Sequence, residues 1–300
     1  MDRIEAMQIF VQVVEKGSFT AAADHLQLHR PVPTRAIQTL EQELGVRLLN
    51  RTTRKLSVTD EGEDFYQRAV QLLATLEDSF ASYSGAQRIP KGRLKVNLAA
   101  TIAKSLVIPR LPEFQRAYPQ IEIHLGVTDQ PVDLVDAGID CVVRLGDLQD
   151  SSAVAKRIGQ LDMATCAART YIEQYGMPAN LEELRLHKAI NFTSGRSRRL
   201  VDWTFNEAGD ETRLKLASAL VTDNSDALLT CALSGMGIIQ GVRLALQPYL
   251  DSGRLVEVLP HLPASPKPIS ILYPHRAHLP NKTAAFMEWL KDIVNSSCKP

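Results

Sequence analysis

Apolar residues recur every three or four positions through the first 45 residues, which predicts three helices in succession. The first helix covers about residues 2–16, with Asp2 as a candidate cap, and Gly17 ends it. Ser18 can cap the second helix. The buried stripe of the first helix is expected to comprise Ile4, Met7, Phe10, Val11 and Val14.

The third helix has one apolar face that should point into a core, and this face consists of Ala36, Ile37, Leu40 and Leu44. Gly45 follows at a position suited to a left-handed cap. Beyond it, residues 46–49 and 56–58 look like two short strands around a polar, basic tip. The order helix, turn, helix, basic hairpin predicts a winged helix-turn-helix.

The local charge of this segment adds to the picture, because acids are missing from it. No Asp or Glu lies between Asp24 and Glu41, and residues 45–59 contain four basic residues and no acid. A segment that lies on the phosphates of a duplex should lose its carboxylates in this way. A basic solvated surface would have the same charge pattern. The order of the elements, and not the charge, therefore favours a DNA-binding segment.

Polar side chains on a second face of the third helix and at the hairpin tip are the candidate DNA contacts. Arg, Gln and Thr can contact base edges, whereas a basic wing suits phosphates or the minor groove. The candidates are His29, Arg30, Thr34, Arg35 and Gln38 on the helix side, and Arg51, Thr52, Thr53, Arg54 and Lys55 on the wing.

Residues 10–62 contain GSFTAAADHL and RAIQTLEQELGVRLLNRTTRKLSVTDEG, and in residue type and spacing they resemble the DNA-binding end of the LysR-type transcriptional regulators. The rest of the chain follows the layout of that family. Pro33 stands where the family usually has a small or apolar residue, and a small polar residue is usual near His29. Pro31 and Pro33 can open the third helix without breaking it, because donors in the first turn are unpaired anyway.

Residues 60–84 are expected to form a longer helix whose first turn carries acids, which suits the helix dipole. Its apolar positions are Phe65, Ala69, Leu72, Leu73, Leu76, Phe80 and Tyr83. Such a stripe needs a partner, and the family layout favours a homodimer over packing on the chain's own body. Two recognition helices would then meet an inverted-repeat operator in double-stranded DNA. The resemblance also implies a tetramer or higher homo-oligomer, with RNA polymerase as a candidate partner.

From Arg93 onward the pattern changes to alternating strands and helices, which is typical of a mostly parallel sheet with helices on its faces. Strands are expected at 93–101, 121–128, 141–146, 189–193, 214–223, 237–243 and 269–274. Helices are expected at 102–118, 132–138 and 282–294, with a crossing segment at 153–168.

The chain is therefore expected to be multidomain. An α-helical winged helix-turn-helix domain occupies residues 1–59, a dimerising linker helix occupies 60–87, and an α/β effector domain occupies 91–300. The effector domain should resemble the type 2 periplasmic-binding-protein fold of this family. Its lobe one covers about 91–163 and 267–300, and its lobe two covers about 164–266.

Ligands of open α/β sheets lie at the carboxyl ends of strands, which here means the cleft between the lobes. Helix starts with hydroxyl groups favour anions, and this suits a small organic acid as the effector. The candidate ligand-binding residues are Ala100, Thr101, Thr128, Phe192, Ser194, Asn224 and Ser225. Each of them alone can instead be a turn or cap residue, although Thr101 and Thr128 match positions that the family uses.

Composition places the chain among ordinary globular proteins, with 45% hydrophobic residues, 23% charged residues and zero net charge. Any contact with DNA must therefore be local. Cys141, Cys166, Cys231 and Cys298 form no C-x-x-C motif and are expected to be reduced, mostly buried thiols. No stretch has the length of a membrane span, so a cytoplasmic location without membrane contact is expected.

Two hypotheses follow for the function. In the first, the chain is a ligand-responsive transcription factor. In the second, the α/β part is an enzyme or a small-molecule-binding module, and the N-terminal part serves only for interaction. The sequence favours the first, because it offers no combination of nucleophile, base and orienting residue. No cofactor is expected, and the pair His275 and His278 lacks the Cys or acidic companions of a zinc site.

Overall fold

The computed structural model describes residues 1–51, 56–83, 89–135, 137–148, 153–195, 197–207, 209–274 and 279–297. The chain divides into two compact units, Met1–Arg88 and Ile89–Pro300. None of the helices among the described residues is long and apolar enough to cross a membrane.

The first unit consists of helices and a two-stranded hairpin. Its elements are α1 (Arg3–Lys16), α2 (Phe19–His25), α3 (Pro31–Leu44), β1 (Leu49–Arg51), β2 (Leu56–Val58) and α4 (Asp60–Tyr83). β1 and β2 pair in antiparallel fashion, with Leu49 opposite Val58. The helix, turn, helix and hairpin of the sequence prediction are all present. The first strand of the hairpin was expected at residues 46–49 and lies instead at Leu49–Arg51, so Asn50 and Arg51 belong to the strand and not to the tip.

The helix ends follow the sequence prediction with one exception. Gly17 and Gly45 both adopt the left-handed conformation, in which they end α1 and α3. The Ser18 side chain accepts a hydrogen bond from the Ala21 N–H at the start of α2. The prediction for Asp2 was wrong in part, because it lies at the N-terminal boundary of α1 but its side chain makes no capping hydrogen bond.

The buried face of α1 is rotated from the predicted one. Phe10 and Val11 are buried as expected, but Ile4, Met7 and Val14 are only half-buried. The side chains that α1 buries are Ala6, Ile9, Phe10, Val11 and Val13. The core lies between α1, α3 and the start of α4, and neighbours distant in sequence fix the rotation of a helix that is apolar on more than one side.

In α3, Ala36, Ile37 and Leu40 are buried as predicted, whereas Leu44 in the last turn remains 43% exposed. The helix begins at Pro31 and continues through Pro33, which is itself buried. The prediction that both prolines open the helix is confirmed. Their missing N–H groups fall where an α-helix has no acceptor for them.

The apolar stripe of α4 divides between two environments. Its first half packs on the unit's own core, where Ala69 is buried and the Phe65 ring lies 5.4 Å from that of Phe10. Further along, Leu72 is 58% exposed and Phe80 is 72% exposed. The alternative of packing on the chain's own body therefore holds for the start of the helix, and the later part presents apolar side chains to solvent.

The second unit contains two mixed sheets. The elements up to the first crossing are β3 (Gly92–Leu98), α5 (Ala100–Ile102), α6 (Leu111–Ala117), β4 (Ile121–Val127), β5 (Cys141–Leu145) and β6 (Val154–Leu161). A π-helical turn at Ala103–Val107 and a 3-10 turn at Ile108–Arg110 connect α5 with α6. The remaining elements are β7 (Met163–Ala168), α7 (Arg169–Tyr175), α8 (Leu181–Leu184), β8 (Ala189–Ser194), β9 (Arg199–Leu200), β10 (Trp203–Glu207), β11 (Asp210–Leu214), β12 (Ser218–Thr222), α9 (Ser225–Leu233), β13 (Ile238–Val242), α10 (Arg243–Asp251), β14 (Leu255–Glu257), β15 (Lys267–Tyr273) and α11 (Asn281–Ser297).

The strand order defines two lobes. One sheet runs β4-β3-β5-β15-β6, and the other runs β12-β8-β13-β7-β14 with β9 paired to β8. β15 returns to the first sheet, where it lies antiparallel to β5 and β6. The chain crosses from the first sheet to the second between Leu161 and Met163.

Four sequence predictions for this unit need correction. The strand expected at 93–101 ends at Leu98, and Ala100 and Thr101 lie in α5. The short helix expected at 132–138 is absent from the described residues there, which form turns, and the Asp133 side chain accepts the Val135 N–H in place of helical pairing. The crossing segment at 153–168 is two long strands, one in each sheet. The single strand expected at 214–223 begins only at Ser218, because Leu214 ends the hairpin β10-β11.

Candidate DNA interface and ligand cleft

One face of α3 carries the candidate base-contacting side chains. Arg30, Arg35 and Gln38 are exposed, and Thr34 is half-buried. Among the described residues, the side chains of Arg35 and Gln38 donate no hydrogen bond and form no ion pair. α3 thus buries one face in the core and leaves long donor side chains free on another, as a helix that enters the major groove requires.

The acids near the end of α3 are engaged within the unit. Glu41 Oε1 accepts hydrogen bonds from the backbone N–H groups of Leu48 (2.9 Å) and Leu49 (3.2 Å). Glu43 pairs with Arg3 at 2.9 Å. Glu41 therefore ties the start of the hairpin to the recognition helix. This role was not predicted, although an acid between two segments without acids was a visible signal in the sequence.

A second set of contacts fixes the hairpin to α4. The Thr59 hydroxyl donates to the Arg47 carbonyl at 2.7 Å and accepts the Gly62 N–H at 2.9 Å. Gly62 approaches the hairpin so closely that a Cβ atom would lie 2.0 Å from the Leu48 carbonyl oxygen. Only glycine permits this approach, and the wing is held between α3 and α4.

The other predicted DNA contacts stand as follows. His29 is exposed in the turn before α3, and Arg51 ends strand β1. Thr52, Thr53, Arg54 and Lys55, at the predicted tip, lie outside the described residues.

Between the two lobes of the second unit lies a cleft of about 1380 Å³. Four of the predicted ligand-binding residues line it, namely Thr101, Phe192, Ser194 and Ser225. The other three have structural contacts: the Ala100 N–H donates to Asp129, Thr128 Oγ1 accepts the Gln130 N–H, and Asn224 Oδ1 caps α9 by accepting the Ala227 N–H.

Asp129 lies in this cleft and contacts both lobes. Its Oδ1 accepts the Ala100 N–H at 2.9 Å, and its Oδ2 accepts the Ser225 N–H at 2.7 Å and the Ser225 hydroxyl at 2.8 Å. Ala100 begins α5 in lobe one, and Ser225 begins α9 in lobe two. Asp129 was not among the predicted ligand-binding residues, although it directly follows Thr128, which was.

Two further bonds cross the cleft near the start of α9. Lys104 Nζ pairs with Asp226 at 2.6 Å, and Gln130 Nε2 donates to the Asp223 carbonyl at 3.2 Å. Both join lobe one to lobe two. The Lys104–Asp226 pair is exposed to solvent and contributes little on its own.

Two of the cationic side chains that line the cleft, Arg144 and Lys267, lie in different surroundings. Burial lowers the pKa of Arg144 to about 10, an effect that the Asp129 carboxylate opposes, and its guanidinium donates to Asn97 Oδ1 and the Gln130 carbonyl. Burial also lowers the pKa of Lys267, and the carboxylates of Asp147, Glu211 and Asp202 oppose that shift. Among the described residues, the Lys267 ammonium donates no hydrogen bond. Lys267 is therefore a hydrogen-bond donor at the cleft wall without an acceptor in the described part of the chain.

Two of the four cysteines are buried thiols in the cores of the two lobes. Cys141 and Cys166 are free and buried. Burial raises the pKa of Cys166 to about 12 and raises that of Cys141 as well, so both remain thiols at neutral pH. Cys231 is half-buried, and Cys298 lies outside the described residues. In the part of the chain that the structure describes, no His, Cys, Asp and Glu side chains group to hold a metal ion.

A winged helix-turn-helix followed by a two-lobed α/β domain with a cleft defines a class of protein, the transcriptional regulators that respond to a small molecule. Comparison with known proteins gives the family. A family model described as the LysR substrate binding domain matches residues 87–294, and one described as the bacterial regulatory helix-turn-helix protein, lysR family, matches residues 4–63. The chain belongs to the LysR family of transcriptional regulators.

Named relatives cover nearly the whole chain. The HTH-type transcriptional regulator YhjC of Escherichia coli K12 is 37% identical over 98% of this chain and 98% of its own. The transcriptional repressor PA14_22550 of Pseudomonas aeruginosa is 34% identical over 98% of this chain and 92% of its own. The transcriptional activator AaeR of Escherichia coli K12 is 32% identical over 97% of this chain and 94% of its own.

Solved structures agree with this assignment. The full-length structure of the Vibrio cholerae virulence activator AphB is 28% identical, covers 97% of this chain and 98% of its own, and superposes with a TM-score of 0.56. CrgA, a LysR-type regulator from Neisseria meningitidis, is 27% identical, covers 98% of this chain and 99% of its own, and superposes with a TM-score of 0.58.

Proposed function

We propose that α3 reads the operator sequence through Arg35 and Gln38, with Arg30, Thr34 and His29 as supporting contacts. The observation that carries this proposal is the pair of long donor side chains that α3 leaves exposed and unpaired beside a buried apolar face. Arg can bind guanine and Gln can bind adenine in two-point contacts. The wing residues Arg51, Thr52, Thr53, Arg54 and Lys55 would contact phosphates or the minor groove.

The exposed apolar side chains of α4 support a homodimer as the DNA-binding unit. Leu72 and Phe80 would pack against the same residues of a second copy, as isologous contacts do. Two copies of α3 would then meet an inverted repeat. A tetramer or higher assembly, a contact with RNA polymerase and action in the cytoplasm, where the chromosome lies, complete the proposal. Relatives named as a repressor and as an activator leave both signs of regulation open.

The effector is proposed to be a small organic anion that binds in the cleft of the second unit. Arg144 and Lys267 supply positive charge at the cleft wall, and Lys267 lacks a hydrogen-bond acceptor among the described residues. Thr101, Phe192, Ser194 and Ser225 would complete the contacts, with Ala100, Thr128 and Asn224 shaping the strand ends behind them. The cleft binds its ligand and does not transform it.

Selection from a random duplex pool tests the DNA part of the proposal. The full chain should enrich an inverted repeat, and the Arg35→Ala/Gln38→Ala double variant should bind DNA without enriching that motif. Gln8→Ala, an exposed substitution on α1, is the matched control and should enrich the same repeat as the wild type. If the folded wild-type chain enriches no sequence, the proposed DNA readout is wrong.

A further inference from the structure

The start of α9 is the place where an anion would bind in a cleft of this kind, and an internal carboxylate already lies there. Asp129 Oδ2 accepts both the N–H and the hydroxyl of Ser225. The other oxygen of the same carboxylate accepts the Ala100 N–H from the opposite lobe. The donors that favoured an organic acid in the sequence analysis are thus bonded to a side chain of the chain itself.

These three bonds are of the strong kind. Each joins an ionised oxygen to a donor at 2.7 to 2.9 Å, and the N-terminal end of α9 adds a favourable helix dipole. The cleft partly shields them from water. A second carboxylate could not share the Ser225 donors, because two anions at that distance repel each other.

Asp129 is also the side chain through which the strand ends of lobe one reach α9 of lobe two. The neighbouring bond from Gln130 to the Asp223 carbonyl joins the same two surfaces, and the Lys104–Asp226 pair lies beside them. The partners of these bonds belong to one chain and have a high effective concentration, which favours the arrangement in which the two lobes are bonded to each other.

We propose that Asp129 is an internal ligand that holds the two lobes together in the effector-free protein, and that an anionic effector acts by replacing the Asp129 carboxylate on Ser225. This inference rests on the proposed function of the cleft as an effector site. In the effector-free protein the lobes are joined through Asp129, and in the effector-bound protein they are joined through the effector. This difference between the two states gives regulation a physical basis.

Formate is the probe of choice, because Asp129→Ala removes one carboxylate group and formate restores that group. The midpoint of thermal unfolding of the full chain is measured with sodium formate and with sodium chloride at equal ionic strength. Asp129→Ala should lower the midpoint by roughly 5 °C, and formate should restore it in a saturable way. The wild type should bind formate about tenfold more weakly than the variant, because its own carboxylate competes.

Two further variants locate the effect. Asp226→Ala removes a carboxylate from the same helical turn without touching the Ser225 donors, and it should gain no formate response. Ser225→Pro, combined with Asp129→Ala, should abolish the rescue because it deletes both donors. Proline is tolerated at this first helical position, and Asn224 before it is already extended (φ −129°, ψ 123°).

The outcomes separate the inference from the proposed function. Equal formate responses in wild type and Asp129→Ala, or a rescue that survives Ser225→Pro, would overturn the role of Asp129. Should Asp129→Ala fail to fold, Asp129→Ser takes its place, because serine is also too short to fill the position of the carboxylate. Equal formate affinity of Asp129→Ser and wild type would overturn the competition. Binding of the selected DNA by each folded variant is measured alongside. No formate response in the wild type or in any folded variant, with binding of the selected DNA intact, would instead contradict the proposed function of the cleft as an anion site.

Discussion

At the scale of single residues, the role of a side chain is set either by its near neighbours in the chain or by segments that are far away in sequence. Ser18 and Gly45 are capping residues because of their position in the chain, and both predictions are confirmed. Leu44 was expected in the core and is exposed, since burial depends on where distant segments end. Asp129 was missed because its partner Ser225 is far away in sequence and in another lobe. No local pattern marks such a pair.

Arg35→Ala and Gln38→Ala, made singly, should each relax base preference at one position of the operator. A good two-point contact with a base contributes about 1–3 kcal/mol of discrimination. Competition binding with single base changes in the selected repeat measures this. Equal losses of affinity for the selected repeat and for random DNA would show that these side chains touch phosphate only.

Lys267→Met should raise the free energy of unfolding of the effector domain at neutral pH by about 1 kcal/mol. A gain of this size is common when a residue that serves function at the expense of stability is replaced. Burial lowers the Lys267 pKa, so the folded state disfavours its charge below that pKa. The gain should therefore shrink as the pH rises through the lowered pKa. Urea unfolding at several pH values measures it, with Lys156→Met, an exposed lysine on β6, as the control. A loss of stability at neutral pH would show that the nearby carboxylates stabilise the Lys267 charge by more than its burial costs.

At the scale of elements, helices and regular strands followed from periodicity, and pairings between distant segments did not. The helix-turn-helix and the hairpin occupy the expected places because their spacing and caps are local. The strands β6 and β7 were taken for a crossing segment, since each is completed by a partner far along the chain, β15 and β13 respectively. The hairpin β10-β11 was missed for a different reason, because its pairing is local, with Glu207 opposite Asp210. Its second strand reads DETRL, in which no alternation of apolar and polar residues indicates a strand.

Glu41→Ala should weaken binding to all DNA sequences alike, because the wing loses its bonds to α3. Two buried or half-buried N–H groups would lose their acceptor, at about 1–3 kcal/mol of stability. Fluorescence anisotropy on specific and random duplexes, together with urea unfolding, measures both effects. Glu41→Gln retains an acceptor oxygen and should behave nearly as wild type. A change in base preference with unchanged overall affinity would show that Glu41 acts on the bases and not on the wing.

At the scale of the whole molecule, the homodimer was predicted from the family layout, because a single chain does not show what covers an exposed apolar stripe. Periodicity indicated that α4 has an apolar stripe, and the structure assigns its first half to the core and leaves Leu72 and Phe80 exposed. The cleft was predicted from the rule that ligands bind at the strand ends of open sheets. The bonds of Asp129 to both lobes could not be predicted, because they depend on how the lobes pack.

Leu72→Ser/Phe80→Ser should shift the protein from dimer to monomer and lower operator affinity at least tenfold, since one recognition helix then binds without its twin. Burial of both side chains against a second copy supplies the stabilisation that serine removes. Analytical ultracentrifugation and operator binding measure the change. Arg68→Ala, which removes only an exposed pair with Asp64, is the control. An unchanged dimer would place the interface elsewhere.

The most direct test of the central claim, that this chain recognises specific chromosomal sequences through α3, is to crosslink the protein to DNA in its own cells and sequence what co-purifies. A few sharp peaks that share the inverted repeat selected in vitro, and that disappear for Arg35→Ala/Gln38→Ala, are the expected result. An abundant, folded protein that enriches no site above background would contradict the claim.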